Sequence, residues 1–243
     1  MLADFLRGGS YFWRGLPLIF RPRIRTFAFA PLLITLVLGA VAIWATGAYF
    51  TDLVDATVTR LPGWLDWASW ILWFVFAALW LGIGVFGFII AANLVAAPFN
   101  GLLSEAVEWR LAGATSPPVP LALVLRRLPG VILSETGKLL YYALWAIPFL
   151  VASCLLNVVG PFLWLLFSAW MLAVEFGDYP MDNHGLDFKE MRRRLGRRRA
   201  ASLGFGASVL LAFAIPGLNL LAMPAAVAGA TLFWLEDLRE IES

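Results

Sequence analysis

Uncharged apolar residues fall into four long blocks along the chain. Phe27 to Phe50 gives 24 residues without a charge, which at about 1.5 Å per residue covers a bilayer core of about 30 Å with modest tilt. Pro31 sits early in that block, where a missing N–H costs little. Trp67 to Ala97 gives 31 uncharged residues, enough to span with strong tilt or to project beyond the lipid. Trp64, Trp67, Trp70 and Trp73 recur at its start, and tryptophan anchors at the depth where one ring edge is wet. Ala78 with Gly82, and Gly87 with Ala91, are small-xxx-small pairs suited to close packing, within the chain in the first instance.

The other two blocks, 139–174 and 200–235, each run 36 residues without a charge and carry breakers near their middle. The first holds Pro148 and Gly160-Pro161, the second Pro216-Gly217, Asn219 and Pro224. Proline removes a helical hydrogen bond and clashes with the preceding turn, so these positions predict breaks. The pieces left over are too short to span, and two half-penetrating helical hairpins fit both lengths and breaks. The predicted fold is an all-α integral membrane protein in one domain, 1–243. It has two long transmembrane helices (27–50 and 67–97), two broken re-entrant hairpins (139–174 and 200–235), polar connectors (98–138 and 175–199) and amphipathic surface helices.

Charge distribution supports this topology. Arg7, Arg14, Arg21, Arg23 and Arg25 precede the first block, and Arg110, Arg126, Arg127 and Lys138 follow the second. The loop between them has Arg60 against Asp52, Asp55 and Asp66. If block three re-enters, the arginine-rich 189–199 stretch stays on the same basic side, which the positive-inside rule makes cytoplasmic. The basic lead before block one lacks the shape of a cleaved signal peptide, so it is expected to be retained.

Composition narrows the function. Only 14% of residues are charged and mean hydropathy is +0.82, far from the roughly 25% charge of a soluble domain. A net charge of +2 does not make a nucleic-acid surface. The single cysteine, Cys154, excludes an internal disulfide, and its apolar neighbours predict a buried, inert thiol. No catalytic motif and no paired carboxylates lie within an apolar block, so no enzyme, metal or cofactor is expected.

Three stretches carry candidate chemistry. In 178–199, which holds seven of the 18 lysines and arginines and the only histidine, Asp187 is placed to cap a short helix with Glu190 at its third position. Phe188, Met191 and Leu195 share its inner face, and the arginines coat the outside as an anchor to anionic headgroups. His184 stands near Asp178, Asp182 and Asp187 without a second histidine, which suits a loop brace better than a metal site. At the N-terminus, Phe5, Phe12, Trp13, Leu16, Ile19 and Phe20 alternate with Arg7 and Arg14 as a short interfacial helix.

The third stretch, Arg21-Pro22-Arg23-Ile24-Arg25-Thr26, places three guanidiniums at a helix start. This arrangement suits either a tetrahedral oxyanion or lipid headgroups and topology signalling. Broken half-helices at membrane depth also point to a solute site. Asn93 to Pro98 and Asn219 to Pro224 match at four of six positions, an internal echo that places two asparagines and two prolines at related turns.

The runs AAPFNGLLSEAVEWRLAGA (96–114), FSAWMLAVEFGDYPMDNHGLDFKEMRRRL (167–195) and LAMPAAVAGATLFW (221–234) resemble the CysZ sulfate permeases of proteobacteria, in the same order over nearly the whole chain. The resemblance implies a multi-pass protein of the bacterial inner membrane that admits sulfate for cysteine biosynthesis, without a nucleotide-binding domain. It also implies homo-oligomers whose protomers can insert in opposite orientations, whereas the arginine and lysine asymmetry favours one. The family's anion stretch reads Gly, Ile or Leu, Arg, often a second Arg. Here Arg25 matches, Arg23 replaces the glycine, and Thr26 stands where the second arginine is common.

The resemblance thus makes Arg25 the residue of oxyanion capture, with Arg23 and Thr26 beside it and sulfate, sulfite or a related oxyanion as the partner. Asn93, Pro98, Asn100, Glu105 and Asn219 are candidates for a polar path. Glu105 suits proton coupling or an arginine pair. A lipid-binding membrane scaffold without transport is the alternative.

Overall fold

The structure is a computed structural model that describes residues 1–58, 69–113, 140–156 and 158–240. Arg60, Trp64, Asp66, Trp67, Arg126, Arg127 and Lys138 lie outside these. Among the described residues all regular structure is helical: α1 (Leu2–Leu18), α2 (Ile24–Val58), α3 (Ser69–Leu111), α4 (Leu140–Leu155), α5 (Gly160–Asn183), α6 (Phe188–Arg197), α7 (Arg199–Ala214) and α8 (Asn219–Phe233). A short π-helical turn, Trp234–Leu238, follows α8. Among the described residues three segments are long and apolar enough to cross a membrane: Ile24–Trp44, Gly160–Asn183 and Asn219–Leu238. The later arm of each broken block is thus longer than expected, because α5 runs on past its block to Asn183 and the helical turn after α8 extends that arm to Leu238.

The chain divides into two compact units, Phe29–Ala97 and the remainder, Met1–Ala28 with Pro98–Ser243. The first holds most of α2 and of α3. Gly39 lets α2 approach α3, because a Cβ there would lie 2.9 Å from the Phe88 ring. Leu36, Ile43, Trp44, Trp70, Phe74, Leu81 and Phe86 are all exposed by two-thirds or more. Such a surface aggregates in water and is at home in lipid. Among the described residues nothing stands within 4 Å of a Cβ built at Gly82 or Gly87, so the intrachain packing expected of these glycines is not seen there.

The second unit has a dense core. Its α1 packs across α7 and α8, and α5 packs on the same two helices. Close approach is set by small residues: a Cβ at Gly204 would fall 1.9 Å from the Phe5 carbonyl oxygen of α1. The amphipathic N-terminal helix is therefore real, but it is also a core element. Tyr11, Phe12 and Ile19 are fully buried, while Trp13 and Phe20 stay about half exposed.

Sequence breakers act selectively. Block four turns at Pro216-Gly217, with Ile215 extended (ψ 115°) and Gly217 at φ +82°. Block three bends at Leu156 and turns at Val158-Val159, and α5 restarts at Gly160 with Pro161 in its first turn, where the absent N–H is not missed. Pro148 and Pro224 do not break their helices. In α8 the lost bond falls within two turns of the start, and the helix is held from Ala222 onward by burial. The two echoing segments accordingly lie within helices, Asn93–Pro98 inside α3 and Asn219–Pro224 opening α8. They do not line turns.

Two connector boundaries also move. α3 continues past Ala97 to Leu111 because Leu102, Leu103, Ala106 and Val107 form a buried stripe at helical spacing. α5 likewise continues to Asn183, with Val174, Phe176 and Met181 buried. Cys154 is exposed, contrary to the buried thiol expected, because α4 turns that side away from the core. The expected α6 is present: the Glu190 N–H donates to the Asp187 carboxylate at 2.7 Å, and Met191 and Leu195 are fully buried.

Candidate functional site: an unpaired arginine turn and a buried polar cluster

The link between α1 and α2 is short and pinned. The Arg21 N–H donates to the Leu18 carbonyl, and the Arg25 N–H to the Arg21 carbonyl, both at 3.0 Å. Ile19 and Ile24 are buried on either side, whereas Arg21, Arg23, Arg25 and Thr26 are exposed. Two apolar side chains thus fix a turn that holds three guanidiniums out toward solvent. Arg23 has φ +71° and is the one described non-glycine residue in the left-handed region, which costs an L-residue about 1–2 kcal/mol. The backbone keeps here the conformation that glycine adopts freely.

Charge pairing separates this turn from the other arginines. Arg14 makes a bidentate contact to Glu236 at 2.9 and 2.5 Å. Arg193 and Arg194 both bind Glu190, whose carboxyl is held down to about 2 by the Arg193 hydrogen bonds first and by Arg194 next. No carboxylate among the described residues pairs with Arg21, Arg23 or Arg25. Three clustered cations with no carboxylate partner among the described residues form an anion-attracting patch. One helix-start donor is already used, since the Arg25 N–H bonds to Arg21. Side-chain forks therefore supply the main donors.

A second polar feature is internal. Asn100, 3% exposed, donates through Nδ2 to the Tyr179 hydroxyl at 3.1 Å, and Tyr179 donates to Glu175 Oε1 at 3.4 Å. Tyr142 donates to the other Glu175 oxygen at 2.7 Å. Nearby in sequence, Asn183 Nδ2 donates to the Gly101 carbonyl at 2.9 Å, and Ser104 and Thr231 share a hydroxyl contact at 2.9 Å. These bonds tie the end of α3 to α4, α5 and α8. His184 Nε2 lies 3.1 Å from both Glu108 oxygens, the bracing role expected of it. No cluster able to hold a metal occurs among the described residues.

Arg23, Arg25 and Thr26 are brought together by the turn, and Asn100 belongs to the internal cluster. Asn219 is exposed at the start of α8, its N–H bonded to the Ile215 carbonyl at 3.1 Å. Glu105 is half-buried and partnered. The side chains of Asn93 and Pro98 lie outside the described residues. Glu175, Tyr142 and Tyr179 were missed from the sequence, where Glu175 ends an apolar run like any boundary acid. Its signal was the pair of tyrosines one α5 turn and one helix away.

Comparison with known proteins fits this layout. The family described as "Sulfate transporter CysZ/Etoposide-induced protein 2.4" matches residues 11–224. The chain belongs to this family. A protein named "Sulfate transporter CysZ" from Pseudomonas paraeruginosa is 43% identical over 235 residues, covering 96% of each chain. Proteins of the same name from Pectobacterium atrosepticum (39%, covering 99% of this chain and 89% of the relative) and Salmonella enteritidis (40%, covering 94% and 92%) are similar along the same length. The matched span of the CysZ family includes both the arginine turn and the hydrogen-bonded chain of Asn100, Tyr179, Glu175 and Tyr142.

Proposed function

We propose that this chain is a nonenzymatic, multi-pass sulfate permease of the bacterial inner membrane that supplies sulfate for cysteine biosynthesis, acting as a homo-oligomer. The observation that carries the reading is the pinned turn whose three arginines have no carboxylate partner among the described residues, in a chain whose relatives are named for sulfate transport. Arg25 captures the oxyanion through its guanidinium fork, and Arg23 adds charge from the strained position beside it. The Thr26 hydroxyl, exposed one residue on, donates where the family often places a second arginine.

The breaks at Val158-Val159 and at Pro216-Gly217 support hairpins formed by α4 with α5 and by α7 with α8, entering and leaving by one face. Such breaks leave backbone groups at depth that need water or protein partners. Asn100, Glu105 and Asn219, with Asn93 and Pro98, are candidates for the polar path. Growth of a sulfate-transport-deficient bacterial strain on sulfate tests the function. Restoration by the native chain and by Arg193→Ala, but not by Arg25→Ala, is expected. Failure of the native chain, expressed in the membrane, would favour a lipid-binding scaffold.

A further inference from the structure

Helices α4, α5, α6 and α7 enclose a groove of about 440 Å³, within the ~300–1,000 Å³ usual for small-molecule sites. Its wall is ordered by polarity. On α4, Tyr141, Trp145 and Phe149 succeed one another at four-residue spacing and so line one face. Tyr141 meets Arg192 of α6, Trp145 follows, and Phe149 stacks on Phe167 of α5 at 4.9 Å between ring centroids. One end of the groove is therefore cationic and the other purely apolar. Trp145 and Leu166 remain about half exposed, so the groove is open along its side.

Arg192 is placed unusually. Its guanidinium lies over the Tyr141 ring at 4.6 Å and over Phe188 at 4.8 Å. Its Nε is buried and has no hydrogen-bond partner, and no carboxylate pairs with it among the described residues. The neighbouring Arg193 and Arg194, by contrast, are both spent on Glu190. Arg199, the first residue of α7, also lines the groove. A guanidinium that lines an open groove with no carboxylate beside it keeps its charge for a ligand that enters there. That charge attracts an anion, and the apolar extension beside it fits a hydrocarbon chain.

We propose that this groove binds one anionic phospholipid, its phosphate held by Arg192 and Arg199 and an acyl chain lying along Trp145, Phe149 and Phe167. A free oxyanion would use the arginines but not the aromatic wall. The polar residues at the groove's mouth stand on the amphipathic α6, where headgroups lie in the bilayer reading of this chain.

The test is native mass spectrometry of the full chain in detergent, with equimolar phosphatidylglycerol and phosphatidylcholine, counting lipids retained. One phosphatidylglycerol is expected to stay bound in preference to phosphatidylcholine. Arg192→Ala should bind it about fivefold more weakly, the factor that removal of one basic contact implies. Arg193→Ala should bind normally, since that arginine is already paired. Trp145→Ala should also weaken phosphatidylglycerol, and excess inorganic phosphate should not displace it. If Arg192→Ala does not fold, Arg199→Gln is expected to show the same loss. Equal retention in all variants overturns the site, as does equal loss in Arg192→Ala and Arg193→Ala. Displacement by phosphate with no effect of Trp145→Ala overturns the lipid in favour of a free oxyanion.

Discussion

Arg7 in the first helix reaches Asp237 beyond the last, with 2.5 Å between guanidinium and carboxylate. Tyr11 donates its hydroxyl to the same carboxylate at 3.0 Å. Asp237 is only 5% exposed while Arg7 stays half exposed, so the pair clasps α1 to the turn after α8 with one buried charge and one wet one.

Cutting the clasp should therefore destabilise the protein. Asp237→Ala leaves the fully buried Tyr11 without its acceptor and Arg7 without its partner. A loss of about 1–3 kcal/mol is expected, toward the lower end because Arg7 is half exposed. Thermal unfolding in detergent at neutral pH measures it, and an unchanged midpoint would mean the contact contributes nothing.

Tyr11 itself gives a pH signature. Burial foremost, then the Asp237 charge, push its hydroxyl up from 10 to about 12. The folded state holds the proton more tightly than the unfolded chain. The associated stability is complete below pH 10 and is lost as pH rises toward 12. The ultraviolet difference titration of native protein against Tyr11→Phe should show one phenolate appearing near 12. A phenolate that appears near 10 contradicts the buried environment.

At Gly204 the helices touch through backbone. A Cβ there would collide with the Phe5 carbonyl, which no rotamer can relieve, so Gly204→Val should force α1 off α7. Overpacking of this kind costs about 1–3 kcal/mol or more. Limited proteolysis within the first 20 residues, faster in the variant than in native protein, is the expected result. Equal rates would show that α1 is not held there.

The chain's pattern made the helical class, the two long uncharged segments, the Pro216-Gly217 turn and the Asp187 cap legible, because each rests on local chemistry. What it hid was tertiary. Burial of Leu102, Leu103 and Ala106 carries α3 through Pro98, and no local rule anticipates that. Cys154 lies in an apolar run, yet faces outward, since in a lipid-adapted chain apolar neighbours do not imply an interior. The arginine turn was readable as composition. Its distinction from Arg14 and Arg193, which have carboxylate partners, needed coordinates. Arg23 was a departure from a glycine pattern until its φ of +71° showed that the backbone had kept the glycine's shape.

That shape makes Arg23→Gly informative. It removes one cation and relieves left-handed strain, so stability should rise by about 1 kcal/mol while sulfate affinity falls modestly. Unfolding and sulfate binding measured on the same preparation separate the two effects. Lower stability in the variant would mean the Arg23 side chain holds the turn through contacts of its own.

The most direct measurement is the initial rate of labelled sulfate uptake into proteoliposomes holding the native chain, Arg25→Ala or no protein. Uptake well above empty vesicles is expected for the native chain. It should fall about tenfold or more in Arg25→Ala, in keeping with loss of a charge-assisted contact of about 1.5–3 kcal/mol. Uptake in Arg25→Ala equal to native would remove the arginine turn from the path. Native uptake no faster than empty vesicles would contradict transport itself.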